Sequence, residues 1–199
     1  DGRVQWTKDG GASWTDATAS LTASGAPEKH YVTRVASSSF KEGTAFAVKA
    51  GFPYDDYRPS VFRTDDYGAT WTSIAGDLPE GTVYVVVEDR ENPRLLFVGT
   101  ERSVFFTLDG GRKWRPLADG LPDRALVHDL LVHPRDNDLV AASHGRGLFV
   151  MDIGPLQEMT DGFFDREAAL FTLEPKVQWT LRRFPLGDVE GDRVFNAPN

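Results

Sequence analysis

The stretch Thr107-Leu108-Asp109-Gly110-Gly111-Arg112-Lys113-Trp114 follows a pattern, T-x-D-x-G-x-x-W, that occurs twice more upstream. Thr64-Asp65-Asp66-Tyr67-Gly68-Ala69-Thr70-Trp71 is one copy, and Thr7-Lys8-Asp9-Gly10-Gly11-Ala12-Ser13-Trp14 is another. Trp71 and Trp114 stand 43 residues apart, and at the same step Leu78-Pro79 recurs as Leu121-Pro122 and Val61-Phe62 as Val104-Phe105. A fourth, decayed copy maps Asp109 and Gly111 onto Asp152 and Gly154, with the tryptophan lost. Trp14 and Trp71 are 57 apart, so the first interval holds 14 extra residues. Four matches in one register are an internal repeat, and a fixed period of this length sets the architecture before any local assignment does.

Each unit parses into four short strands. Val83–Glu88 is apolar and β-branched, Asp89–Arg94 with its Asn92-Pro93 is a turn, and Leu95–Thr100 is a second strand. Ser103–Thr107 and Lys113–Leu117 are the third and fourth, joined by the Asp-Gly-Gly turn. Four strands in about 43 residues match a β-propeller blade. The conserved pattern within the chain has a structural explanation. Gly110 and Gly111 supply the positive φ of a tight hairpin, Asp109 accepts backbone N–H groups, and Thr107 adds a local bond. Trp114 opens the outer strand, where a large flat side chain packs on the neighbouring sheet. The same structural roles are expected of Thr7, Asp9, Gly11 and Trp14, and of Thr64, Asp66, Gly68 and Trp71. A lone turn carboxylate is a poor calcium site, because that ion takes six or more oxygens.

Composition narrows the function classes. The chain has 199 residues, 22 Lys and Arg against 30 Asp and Glu, and a formal net charge of −8. An acidic balance argues against nucleic acid as the main partner, since phosphate binding needs a basic field. The 40% hydrophobic fraction supports a packed core rather than disorder, and no run approaches the roughly 20 apolar residues of a spanning helix. There is no cysteine, which removes disulfides, thiolate metal sites and cysteine nucleophiles. Four scattered histidines show no metal-ligand spacing, so neither a metal nor a cofactor is expected.

The three motifs resemble Asp-boxes, or BNR repeats, which occur in sialidases, sortilin-type receptors and xyloglucan-active glycoside hydrolases. Taken with Tyr54-Asp55-Asp56-Tyr57-Arg58-Pro59, Leu96-Phe97-Val98-Gly99-Thr100-Glu101, His133-Pro134-Arg135-Asp136-Asn137-Asp138-Leu139 and His144-Gly145-Arg146-Gly147, the chain is similar over nearly its whole length to a bacterial family. Its members are secreted, sortilin-like or glycosyl-hydrolase-like BNR-repeat β-propeller proteins. The resemblance implies an extracellular or periplasmic location, further β domains after the propeller, and blades missing on the N-terminal side. The expected fold is therefore all-β: an incomplete propeller of four-stranded Asp-box blades with a C-terminal β extension. Residues 1–154 would be propeller, divided into a partial blade at 1–18 and blades at 28–79, 80–122 and 123–154. Residues 155–199 would be an exit segment, with a short helix from Pro155, strands at Ala169–Leu173 and Val177–Leu181, and a loop at Gly187–Asp192. About three and a half blades cannot close a ring, so the rest of the ring must come from the protein's own remaining blades or another subunit. The termini read as those of an interior or C-terminal-side fragment.

Two places carry candidate ligand chemistry. Part of the 14-residue excess is Phe52-Pro53-Tyr54-Asp55-Asp56-Tyr57-Arg58-Pro59, and an insertion in a repeat often marks the binding face. Tyr54, Asp55, Asp56, Tyr57 and Arg58 can stack on and hydrogen-bond a sugar or a peptide; the alternative is a solvated hairpin with Asp55 or Asp56 paired to Arg58. His144 and Arg146 sit in a glycine-flanked turn, where they could meet an anionic ligand, or Arg146 could pair with Asp129 or Asp152. His128 and Asp129 lie on an innermost strand that can line the central channel. His133 precedes a proline and reads as a turn residue. Glycosidase chemistry needs two carboxyls about 5–10 Å apart across a cleft. Adjacent Asp55 and Asp56 point to opposite faces if extended, and no catalytic pair can be named. The expected function is thus a non-catalytic binding or scaffold propeller engaging protein, peptide or glycan. The alternative is part of a glycoside hydrolase resembling the xyloglucan-active tandem propellers.

Overall fold

The computed structural model describes residues 2–117, 121–122, 124–160 and 162–172. Its sheets follow the repeat. A two-stranded ribbon, β1 (Gln5–Trp6) and β2 (Thr15–Asp16), is followed by a short helix, α1 (Thr18–Ala23). The next sheet runs β3 (Tyr31–Ser37), β4 (Ala45–Ala50), β5 (Val61–Thr64), β6 (Thr72–Ser73), each antiparallel to the one before it. The third runs β7 (Val83–Glu88), β8 (Leu96–Thr100), β9 (Val104–Thr107), β10 (Arg115–Pro116). The fourth has β11 (Val127–Val132), β12 (Asp138–Ser143) and β13 (Gly147–Asp152), then a helical turn, α2 (Gly154–Gln157). The first strands of successive sheets are neighbours: β3 packs on β7, and β7 on β11. This is the radial arrangement of propeller blades, with β3, β7 and β11 innermost.

The T-x-D-x-G-x-x-W turns fold alike because their bonds are local. The threonine hydroxyl accepts the glycine N–H at 2.9 Å (Gly11), 2.8 Å (Gly68) and 3.1 Å (Gly111). It donates to the aspartate carboxylate at 2.7, 2.8 and 2.9 Å in the same order. The carboxylate in turn accepts the N–H of Ser13, Thr70 or Lys113, each at 2.9 Å. Gly111 adopts φ +90°, and a Cβ there would meet the Ile74 carbonyl oxygen at 2.5 Å, so both conformation and space require glycine.

The decayed copy explains why the fourth sheet has three strands among the described residues, where four were expected. At the 43-residue step, Val150 stands where Thr107 does, so no hydroxyl is there to hold the turn. Asp152 instead accepts the Gly154 N–H at 3.0 Å and the chain winds into α2. It then returns to the third sheet, where Asn92 Nδ2 donates to the carbonyls of Gln157 and Met159 at 3.2 and 3.3 Å. The two complete tryptophan sites behave as expected, Trp71 and Trp114 each being 6% exposed between sheets. Trp14 departs from expectation at 59% exposed: its Nε1–H donates to Gly11 O at 3.1 Å, and no described sheet lies on that side to receive it.

Residues Asp1–Glu167 form one compact unit, and Ala168–Asn199 a second. In the second unit, residues 168–172 have no assigned strand, and Leu173, the expected strand at Val177–Leu181 and the loop at Gly187–Asp192 lie outside the described residues.

Candidate functional site

An antiparallel meander fixes which loops share an end. The starts of β3, β7 and β11 lie at the same end of the molecule as the connections β4–β5, β8–β9 and β12–β13; the T-x-D-x-G-x-x-W turns close the opposite end. Tyr54, Asp55, Asp56, Tyr57 and Arg58 occupy the β4–β5 connection, His144 and Arg146 the β12–β13 connection, and His128 the start of β11. The candidates come from three segments of sequence and meet on one face.

The inserted loop is braced. Phe52–Tyr54 makes one 3₁₀ turn, Asp55 sits at φ +55°, and the Asp56 N–H donates to Gly51 O at 3.3 Å. Asp56 grips Arg58 with both oxygens (Nε 2.9 Å, Nη2 2.6 Å) and accepts the Arg58 backbone N–H at 3.1 Å. The pairing with Arg58 foreseen as the structural alternative is therefore present, made by Asp56 rather than Asp55. Tyr57 O accepts the Gly81 N–H at 2.8 Å, tying the loop to the next sheet.

Beneath it lies His30, 4% exposed, whose Nε2 is 3.2 Å from Asp56 Oδ2. Its ring packs on the backbone at Gly51, where a Cβ would stand 2.2 Å from the imidazole. Burial pushes the His30 pKa down, which favours the neutral imidazole at pH 7, with Nε2 facing the Asp56 carboxylate. The Arg58 hydrogen bonds hold the Asp56 carboxyl well below the usual carboxylate range.

Rings line this face. His30 and Tyr54 stack with centroids 6.1 Å apart and planes 7° apart, and Tyr31 lies 6.3 Å from Tyr54. From Phe52 a continuous row crosses three sheets: Phe52 to Tyr84 is 6.2 Å, Tyr84 to His128 is 4.5 Å, and His128 to His144 is 5.5 Å. The row depends on a repeated irregularity. Each innermost strand has a register shift near its start, between Val32 and Arg34, Val83 and Val85, and Val127 and Asp129. The bulged residues are Thr33, Tyr84 and His128, and a bulge re-aims its side chain relative to the ladder. Phe52, Tyr54, Tyr57, Tyr31, His128 and His144 are all exposed.

The alternative partners proposed for Arg146 are not used in that way. Asp129 is bonded to Arg34 of β3, an ion pair linking the innermost strands of two non-adjacent sheets, and Arg146 makes no ion pair among the described residues. His133 is a turn residue, its Nδ1 accepting the Asp136 N–H at 3.2 Å. His30, Tyr31, Phe52 and Tyr84 join the face without having been singled out as candidates. The 43-residue step sets Val127 opposite Tyr84, and only the strand register, with bulges at Tyr84 and His128, brings those two into correspondence.

No family model matches the chain. The vacuolar protein sorting/targeting protein 10 of Sordaria macrospora is 27% identical over 123 residues, which are 61% of this chain and 7% of that protein. Among solved structures, a GH74 xyloglucanase from Xanthomonas campestris superposes with a TM-score of 0.54 at 19% identity, over 73% of this chain and 23% of that one. YCF48 bound to D1 peptide superposes with a TM-score of 0.53 at 22% identity, over 76% of this chain and 45% of that one. The chain thus spans less than half of each of these proteins. None of the described helices is long and apolar enough to cross a membrane. At these identities the likeness establishes the fold, and the fold is that of a β-propeller.

Proposed function

We propose that this chain is the section of a β-propeller that carries a ligand-binding face, and that it works as a non-catalytic binding or scaffold module for an extended peptide or glycan. The observation that carries the reading is the ring row Phe52–Tyr84–His128–His144, assembled from three sheets and bordered by the braced loop 51–60. Stacked rings spaced along a line suit a ligand that is itself a chain, because each ring contributes apolar contact with few rotatable bonds. The state of Asp56 favours binding over hydrolysis: both its oxygens serve Arg58 and His30, which makes it a brace.

The neighbours fit this reading. One is a propeller with a bound peptide, another acts on xyloglucan, and the curated relative is named for protein sorting. The three T-x-D-x-G-x-x-W turns, bonded alike, support placing the chain in the sortilin-like Asp-box group and hence outside the cytoplasm. On this reading residues 28–79, 80–122 and 123–154 are blades, and the ring is closed by further blades of the same protein or by another subunit.

Screening the protein against a peptide library and a glycan array tests the proposal. The expected result is a ligand whose affinity drops at least tenfold in Tyr84→Ala and in His128→Ala, with thermal stability retained. A ligand indifferent to both substitutions, or cleavage of a bound glycan, overturns it.

A further inference from the structure

Beside the inserted loop, three rings and a carboxylate share one corner of the ring-lined face. Phe52 and Tyr84 are 6.2 Å apart with planes tilted by 51°. Tyr57 is tied to them through Gly81: its carbonyl accepts the Gly81 N–H at 2.8 Å, and a Cβ at Gly81 would stand 3.3 Å from Glu101 Oε1. Glu101 belongs to the β8–β9 connection, where its N–H donates to Thr82 O at 3.0 Å and its Oε2 accepts the Thr82 N–H at 3.4 Å. These bonds hold the carboxylate at the start of β7. Burial and the nearby Glu101 carboxylate both push the Tyr84 hydroxyl pKa up. Phe52 and Tyr57 are 47% and 41% exposed, so their faces are open to a ligand.

The corner suits positive charge. The face of an aromatic ring attracts a cation within about 6 Å, and elsewhere the chain fills such positions itself. Lys8 Nζ stands 3.5 Å from the Tyr67 centroid, and the Arg115 guanidinium 3.6 Å from that of Phe164. Among the described residues, no cation stands over Phe52, Tyr57 or Tyr84. Arg58 is held by Asp56, and Arg102 Nε lies 3.6 Å from Glu101 Oε1, an exposed pair too long for a hydrogen bond. A carboxylate has about four acceptor positions, so Glu101 has room for a second cation.

Charge also says where that cation comes from. Ala118, Asp119, Gly120 and Asp123, in the connection that leads to β11, include no basic side chain. Residues 173–199 hold four basic and four acidic side chains, so the net charge of −8 lies entirely on residues 1–172. That field draws in a basic molecule from outside and exerts no net pull on a charge-balanced stretch of the chain itself.

We propose that Phe52, Tyr57, Tyr84 and Glu101 form a subsite for an arginine or lysine side chain, which makes the ligand a basic peptide rather than a neutral glycan. The inference rests on the ring-lined face being the binding face. Arginine fits best, because its planar guanidinium stacks on a ring and pairs with a carboxylate at once.

Selecting a random peptide library on the whole chain, and measuring the selected peptides by fluorescence anisotropy, tests this. The peptides should carry arginine or lysine at a fixed position. Replacing that arginine by citrulline, or that lysine by acetyl-lysine, should weaken binding at least tenfold. Glu101→Gln should weaken the charged peptide at least fivefold and change the neutral one less than twofold. Glu91→Gln, the same change of charge on the β7–β8 connection at the opposite end, should alter neither. Equal binding of charged and neutral peptides, with His128→Ala still weakening both, overturns the cation subsite and keeps the binding face. Peptides indifferent to both Tyr84→Ala and His128→Ala remove the face itself. A glycan bound at these rings in place of any peptide overturns the proposal, as does tighter peptide binding in the double variant Arg182→Gln, Arg183→Gln, which would make this chain's own residues the occupant.

Discussion

Trp14 and Trp114 occupy the same place in the same eight-residue motif, yet their replacement by alanine should have very different consequences. Trp114 is 6% exposed and lies in the cluster joining the second and third sheets, with its indole N–H bonded to Ile74 O. Truncating a buried tryptophan costs about 3–5 kcal/mol through lost burial and the cavity left behind. The stranded Ile74 carbonyl adds about 1 kcal/mol. A total of about 4–6 kcal/mol is a large share of the roughly 5–15 kcal/mol that holds an ordinary domain together. At about 2–4 °C per kcal/mol for a chain of this size, Tm should fall by roughly 8–24 °C. Trp14, at 59% exposed, should cost no more than about 0.5 kcal/mol. Trp114→Phe, which keeps much of the apolar surface but loses the N–H, should fall between. Urea midpoints with a common slope, checked by calorimetry, measure all three. Equal losses at the two tryptophans, or a loss under about 1.5 kcal/mol for Trp114→Ala, would show that burial of Trp114 does not contribute in this way.

Gly99→Ala should cost about 1–3 kcal/mol, because a Cβ there would stand 2.6 Å from Val85 Cγ1 and 2.9 Å from the Val127 carbonyl oxygen; denaturant unfolding reads it directly. Lys49 is 1% exposed and its ammonium finds no hydrogen-bond acceptor among the described residues, so Lys49→Met should raise Tm; a fall would mean the charge is compensated. The His30 pKa is lowered by burial, so the unfolded chain binds the proton more readily and stability must decline as pH drops below the unfolded value near 6.5. Glu88, raised by burial, contributes a slope of the opposite sign from its unfolded value upward, but it is common to parent and variant and cancels in their difference. The stability difference between the parent and His30→Gln should therefore shrink on acidification from pH 7; a difference that is flat with pH would remove His30 as the buried neutral brace.

What the sequence made legible is what short-range chemistry controls. The Thr, Asp and Gly of each turn bond to one another within five residues, so their pattern reports the hairpin without knowledge of anything distant. The spacing of Val61, Ile74 and Leu78 repeats for the same reason, since each blade solves one packing problem. The ring row was not legible as a unit, because its members come from a loop, two innermost strands and a second loop, and only the bulges at Tyr84 and His128 bring them into line. His30 was hidden differently: nothing local marks it, and its role comes from lying under Gly51 and Asp56. The motif around Trp14 misled in one respect, since it specifies a turn but does not supply the neighbouring sheet that buries its tryptophan.

Hydrogen–deuterium exchange across the chain, with and without the peptide or glycan selected by screening, tests the proposed binding face most directly. The account predicts that protection on binding gathers at residues 51–60, at the starts of β7 and β11, and at 144–146, with the turns at 64–71 and 107–114 unchanged. Protection confined to those turns, at the opposite end of the sheets, would contradict it.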